Sequence, residues 1–277
     1  MKFTKLHGTG NDFILLDGAT AGERDWPALA TQACDRHFGI GADGLILALP
    51  SERADVRMRI FNPDGSEAEM CGNGIRCLAK FHAEGGGSPH RDLSVETLSG
   101  VLQLKLEGDG NVERVRVNMG APRLRPADLP VAIEAEGPVI DFALGLPTAM
   151  LRVTFVSMGN PHAVHFQSSP VSDFPLETYG PQVEQHALFP QRMNFHVARV
   201  LSPERIEVRT WERGAGPTLA CGTGACATAV AARLQGLVGD RVEASVPGGT
   251  LVIEWDGQGD VYMTGPVQRV YDGEWPY

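Results

Sequence analysis

The sequence is short of lysine, of cysteine and of long apolar runs, and each shortage removes a class of protein. No stretch approaches the roughly 18 apolar residues that a membrane helix needs, so no membrane partner is expected. The opening MKFTKLHGTGNDF has no apolar core of secretory type, and the expectation is a mature cytoplasmic chain. The five cysteines (Cys34, Cys71, Cys77, Cys221, Cys226) are odd in number and sparse, which excludes a disulfide scaffold and predicts free thiols. No two have CxxC spacing, and the intervals Cys71 to Cys77 and Cys221 to Cys226 do not match a zinc knuckle, so no metal is expected. Lys+Arg 24 against Asp+Glu 34 leaves a net charge of −10, and no basic cluster breaks it. Nucleic acid and anionic lipid are therefore poor partners.

Glycine is what the chain does have: 33 of 277 residues, with 19 prolines, predict many tight turns and short elements. The length allows one large domain or two of about 140 residues. Self-similarity decides between these. CGNG at Cys71 to Gly74 recurs as CGTG at Cys221 to Gly224, and Gly10-Asn11 recurs as Gly159-Asn160. Arg59-x-x-Asn62 and Arg209-x-x-Glu212 precede the two cysteines at the same distance, and SGVLQLKLEG aligns with GGTLVIEWDG. Five anchors in one order at an offset of 149 or 150 make two homologous halves. Their expected bounds are 1–120 and 121–264, related by a pseudo-twofold, with 265–277 returning to the first half as an added strand.

Each half repeats one order of elements. A strand runs to the Gly-Asn turn and more strand follows it. Next comes a helix, DWPALATQACDRHF or PLETYGPQVEQHALF, the first with Asp25 as N-cap and Gly39 as its stop. The strands LILAL and VRMRIF follow in one half, FHVARVL and RIEVRTW in the other. The CGxG turn then opens a second helix that is apolar nearly all round, as a helix buried on every side must be. The expected fold class is α+β, with each half a curved, mainly antiparallel sheet wrapped around one central helix.

A cysteine at a helix N-terminus sits where backbone N–H groups and the helix dipole favour negative charge, which draws a thiol pKa down. The glycines beside it let an anion such as a carboxylate approach the backbone. Two such turns at matching repeat positions, facing one another across a cleft, make a specific device. One thiol removes a proton from one face of a carbon and the other returns a proton to the opposite face, which is racemisation or epimerisation. The bland alternative, that these cysteines are small core residues, fits Cys34, Cys77 and Cys226 better.

The segments HGTGNDF, GIGADG, FNPDGSEAEMCGNGIRC, MGNPH, ERGAGPTLACGTGACA and VYDGE, in that order along the whole chain, resemble the diaminopimelate epimerase family. The resemblance implies interconversion of LL- and meso-diaminopimelate, without pyridoxal phosphate, any other cofactor or metal, on the route to lysine and peptidoglycan. It implies Cys71 as proton donor and Cys221 as acceptor for one direction. Asn11, Asn62, Gly72, Asn73, Asn160, Asn194, Glu212, Arg213, Gly222 and Thr223 match its substrate-binding positions. His162 and Glu212 match positions credited with setting the thiol pKa values, and Tyr271 matches a homodimer contact. These residue types suit such a substrate, because Arg213 offers a planar fork for a carboxylate and asparagine both donates and accepts. Asn11 and Asn160 have a plainer reading as turn residues that tolerate unusual backbone angles. Some family members carry glutamine where this chain has Gly44, so any side-chain contact from that position falls to another group or to water.

Two cofactor readings fail, and two rivals stay open. Gly39-x-Gly41-x-x-Gly44 matches a dinucleotide fingerprint as a string, but it lies between a helix and a strand in the wrong order. Pyridoxal phosphate needs a lysine, and Lys2, Lys5, Lys80 and Lys105 all lie outside the repeated motifs. The rivals are a two-cysteine racemase for another amino acid, of proline or histidine type, and a thiol redox sensor that is not an enzyme. Turnover of LL-diaminopimelate under reductant separates the three.

Overall fold

The computed structural model describes residues 1–87 and 90–276; Tyr277, the last residue of the expected returning tail, lies outside the described residues. The chain divides into two compact units, Met1–Asn118 with Thr264–Tyr277, and Met119–Met263. The first unit runs β1 (Lys2–Gly8), β2 (Asn11–Asp17), α1 (Gly18–Ala21), α2 (Trp26–Cys34), β3 (Gly44–Leu49) and β4 (Val56–Phe61). It continues with β5 (Glu67–Ala68), α3 (Gly72–Glu84), β6 (Asp92–Thr97), β7 (Gly100–Glu107) and β8 (Arg114–Asn118). The second runs β9 (Phe142–Gly145), β10 (Met150–Ser157), β11 (Pro161–Phe166), α4 (Leu176–Glu184), β12 (Asn194–Ser202) and β13 (Arg205–Glu212). It continues with β14 (Gly216–Thr218), α5 (Gly222–Leu234), β15 (Arg241–Val246) and β16 (Gly249–Glu254), after which β17 (Tyr262–Pro266) leads into β18 (Gln268–Glu274). This is the α+β fold expected, with one pattern of pairing in both units. Hairpins β1–β2, β3–β4 and β6–β7 are antiparallel, joined by parallel β2–β3 and β4–β6. In the second unit β10–β11, β12–β13 and β15–β16 are antiparallel, joined by parallel β11–β12 and β13–β15. In the first unit β18 pairs antiparallel with β1, adding a strand.

In each unit one helix packs against most of the strands. The α3 helix touches β1 to β4, β7 and β8, and α5 touches β10 to β13, β15 and β16. The opposite face is covered too. Leu45 and Leu47 of β3 pack with Leu29, Ala30 and Ala33 of α2, while Ile46 between them turns to α3. A strand covered on both faces reads as a continuous apolar run, which is why LILAL shows no alternation. In the second unit Phe155, Phe195 and Val197 pack with Leu176 and Val183 of α4.

Three local expectations change. The α2 helix keeps its Asp25 cap, which accepts from the Ala28 N–H at 3.1 Å, but ends at Cys34 and not at Gly39. The carboxylate of Asp35 takes the N–H groups of His37 and Phe38 (2.7 and 2.8 Å) and turns the chain early. The α4 helix stops at Glu184, short of the expected Phe189; the Phe189 N–H instead closes a turn on the His186 carbonyl (2.8 Å). The third change concerns α3. Its buried face carries two cations, Arg76 and Lys80, where an apolar helix was expected. Both are tolerated because their donors are used: Arg76 reaches the carbonyls of Gly72 and Pro266 and the side chains of Thr9 and Asn73, and Lys80 reaches Glu84 and the Val112 carbonyl. The α5 helix fits the expectation, with Ala225 to Ala232 buried throughout.

Candidate active site

Both repeated cysteines cap their helices. Cys71 takes extended backbone angles (φ −138°, ψ 119°) and its Sγ accepts from the Gly74 N–H at 3.4 Å. Cys221 does the same at φ −116°, ψ 109°, with the Gly224 N–H at 3.3 Å. Each sulfur therefore stands in the first turn of a helix, aimed at by a backbone donor, where the dipole stabilises a thiolate. Gly72 with Asn73, and Gly222 with Thr223, occupy the first two helical positions beside the sulfurs.

In the first unit Asn11 faces the Cys71 sulfur, whose S–H donates to its Oδ1 at 3.8 Å. The Asn11 amide is held by Asp43, since Nδ2 donates to Asp43 Oδ2 at 2.8 Å, and the carbonyl is left to face the sulfur. Arg36 bridges Asp43 and Asp12 at 2.7 and 2.8 Å, and Lys5 joins Asp12 at 2.8 Å. Burial works to raise the Asp12 pKa, but the hydrogen bonds from Arg36 and Lys5 win and hold it down at about 2. The asparagine does not sit there for its backbone: the left-handed angles of that turn belong to Thr9 (φ 53°) and Gly10 (φ 82°), and in the matching turn to Gly159 (φ 96°). Asn73 is buried, its Oδ1 taken by Arg76 (3.0 Å) and Thr9 (3.3 Å) and its Nδ2 donating to Asn11 (3.3 Å). Asn62 follows β4 in a turn where its Nδ2 donates to Ser66 Oγ at 2.9 Å.

The second unit surrounds its cysteine differently. Thr223 Oγ1 lies 3.6 Å from the Cys221 sulfur and accepts from Asn160 Nδ2 at 3.3 Å. Asn160 Oδ1 lies 2.8 Å from His162 Nε2, His162 Nδ1 lies 2.8 Å from His196 Nε2, and His196 Nδ1 lies 2.9 Å from Thr210 Oγ1. Both imidazoles are fully buried. Burial pushes His162 well below the ordinary imidazole range, with the charges of His196 and Arg213 adding to it, and burial takes His196 down to about 3. Both rings are neutral near pH 7. At the end of β13, Glu212 accepts from the Thr218 hydroxyl at 2.5 Å, and the exposed Arg213 donates through Nη1 to the Gln191 carbonyl at 3.0 Å.

The family described as diaminopimelate epimerase matches residues 3–125 and 154–270, one span in each half. A diaminopimelate epimerase of Pelotomaculum thermopropionicum is 52% identical over 284 residues, covering 100% of this chain and 99% of its own. Another, of Desulforudis audaxviator, is 51% identical over 277 residues, covering 99% of both chains. The chain belongs to the diaminopimelate epimerase family. Among solved structures, a phenazine biosynthesis protein of the PhzF family from Bacillus anthracis shares the fold, with a TM-score of 0.69 at 16% identity over 99% of this chain and 98% of that one.

Within this family frame the structure qualifies several residues. Asn194 is buried, with Nδ2 donating to the Pro161 carbonyl (2.8 Å) and Oδ1 accepting from the Arg213 N–H (2.9 Å), so its side chain holds Arg213 in place. Gly44 is buried, and a Cβ there would lie 3.3 Å from the Phe13 ring and 3.0 Å from the Phe61 carbonyl, so the position is crowded as well as bare. Tyr271 stands on β18 opposite Lys5, its ring edge-on to Phe3 at 5.8 Å and 45% exposed. Three polar residues were missed by sequence reasoning: His196, Thr210 and Asp43. A signal for two of them was available. At the repeat offset of 150, His196 and Thr210 stand where the first half has Ile46 and Ile60, and both couples are cross-strand partners.

Proposed function

We propose that this chain interconverts LL- and meso-2,6-diaminopimelate by a two-thiol mechanism, with one cysteine from each unit acting on opposite faces of the same α-carbon. The observation that carries the reading is the paired cap: two cysteines at equivalent repeat positions, each accepting a helix N–H on sulfur. The identity of about half the residues to relatives bearing that activity in their names supports the choice of substrate. In one direction the Cys221 thiolate takes the α-proton, and the electron pair left on carbon is spread into the α-carboxylate. N–H groups at Gly72, Asn73, Gly222 and Thr223 are the donors suited to that developing charge. The Cys71 thiol then gives its own proton to the opposite face and becomes the thiolate. The protein ends with the proton moved from one sulfur to the other, so protons balance, and the reverse reaction restores it.

Asn11, Asn62, Asn160, Asn194, Glu212 and Arg213 serve the remaining carboxylate and ammonium groups, some by contact and Asn194 by holding Arg213. His162 and Glu212 tune the Cys221 side. The enzyme works without pyridoxal phosphate, in the cytoplasm, as a homodimer in which the exposed edge of Tyr271 meets a second copy. The test is turnover of LL-diaminopimelate in D2O under reductant, beside proline and histidine. Deuterium at the α-carbon of diaminopimelate alone is expected, and Cys71→Ala or Cys221→Ala should abolish epimerisation. Full epimerase activity in either alanine variant overturns the mechanism.

A further inference from the structure

The buried polar chain behind Cys221 has a direction. Asn160 Nδ2 donates to Thr223, so Asn160 Oδ1 is the atom that faces His162, and a carbonyl oxygen only accepts. The hydrogen of neutral His162 must then be on Nε2, which makes Nδ1 the acceptor. Its neighbour His196 Nε2 must in turn carry the hydrogen, and His196 Nδ1 accepts from the Thr210 hydroxyl. At the other end, Thr223 Oγ1 is accepting from Asn160 while its hydroxyl hydrogen is available to the sulfur 3.6 Å away. An ionised sulfur has no hydrogen to give, so this direction suits the thiolate. The opposite direction, with every donor reversed, would put a thiol hydrogen on Thr223 and the imidazole hydrogens on both Nδ1 atoms.

The first unit lacks this chain at the same places. The β2–β3 and β11–β12 registers match Phe13 to His162, and the following hairpins match Ile46 and Ile60 to His196 and Thr210. Behind Gly74 lie Ile46 and Ile60; behind Gly224 lies the His196 ring. Among these matched positions, one copy of the repeat backs its helix with hydrocarbon and the other with an imidazole pair.

We propose that His196 and Thr210 are positioning residues for Cys221: the Thr210 hydroxyl fixes the tautomer of His196, this fixes that of His162, and the Asn160 amide is thereby oriented so that Thr223 donates to the thiolate. Calling the sulfur a reacting group rests on the epimerase reading, but the relay itself is measurable without substrate. In the wild type, 15N spectra of labelled histidine should show His162 and His196 as neutral rings with hydrogen on Nε2. The Thr210→Val variant keeps the shape and removes the donor, while Thr210→Ser keeps the hydroxyl. A short iodoacetamide pulse, read by peptide mass as the ratio of Cys221 to Cys71 labelling, should fall about threefold to tenfold in Thr210→Val, the worth of one hydrogen bond, and recover in Thr210→Ser. Hydrogen on Nδ1 of either ring in the wild type overturns the proposal, and so does an unchanged labelling ratio in Thr210→Val. Failure of the epimerase reading would show instead as absent turnover with the tautomers and the labelling ratio as stated.

Discussion

Replacing the second glycine of each CGxG turn by alanine should give unequal results in the two copies. A methyl at position 224 would lie 2.2 Å from Cε1 of His196 and 2.9 and 3.0 Å from its two ring nitrogens. That ring has no free end to swing, because Nδ1 and Nε2 are tied to Thr210 and His162. Making room of about 1 Å breaks at least one of those bonds and leaves buried nitrogens unmatched, at about 1–3 kcal/mol each. The helix propensity gained from alanine returns at most about 1 kcal/mol. Gly224→Ala is therefore expected to destabilise its unit by about 3 kcal/mol. At position 74 the nearest atoms are the terminal methyls of Ile46 (3.0 Å) and Ile60 (3.2 Å), which yield by small rotations, and the Cβ of Cys71 at 3.4 Å. Gly74→Ala should stay within about 1 kcal/mol of the parent, the propensity gain offsetting the crowding. Scanning calorimetry reads the difference: a Tm fall of about 6–12 °C for Gly224→Ala and no more than about 4 °C for Gly74→Ala. Equal shifts in the two variants would refute the claim that the imidazole pair, rather than the helix turn itself, demands glycine.

Acid should act through the same pair. His162 and His196 are held neutral when folded and titrate near 6.5 when unfolded, so the unfolded chain binds more protons as pH falls. Their stability is fully present above about pH 6.5 and is lost below it; at about pH 5 the His196 share of the loss is about 2 kcal/mol. A urea midpoint unchanged between about pH 7.5 and 5 would contradict this. Thiol labelling should discriminate among the cysteines as well. Burial pushes Cys34 up to about 12 and Cys77 up too, so neither should react with iodoacetamide in the folded protein at about pH 8, and native-state label on Cys34 would count against it. Tyr271→Ala should shift sedimentation toward monomer and lower activity; a wild-type monomer, fully active at micromolar concentration, would remove the dimer from the proposal.

The repeat, the two central helices, the capping cysteines and the family were all legible in the sequence, because each is written in local order. A cysteine followed by Gly-x-Gly ahead of an apolar run is a helix start wherever it occurs. A motif recurring after 150 residues reports a duplicated unit whatever packs around it. Tertiary structure decided which polar groups meet. Asn11 reaches Cys71 across 60 residues, Asn160 reaches Thr223 across 63, and His162 reaches His196 across 34. Hydrophobic periodicity reports that a position is buried but not what partner waits there, so Arg76 inside α3 gave no warning of its surroundings, and the repeat register that sets His196 against Ile46 marks the position without naming the groups it meets. The physical reason is that burial of a polar side chain depends on satisfying each of its hydrogen bonds, and only the folded chain brings those partners within about 3 Å of one another.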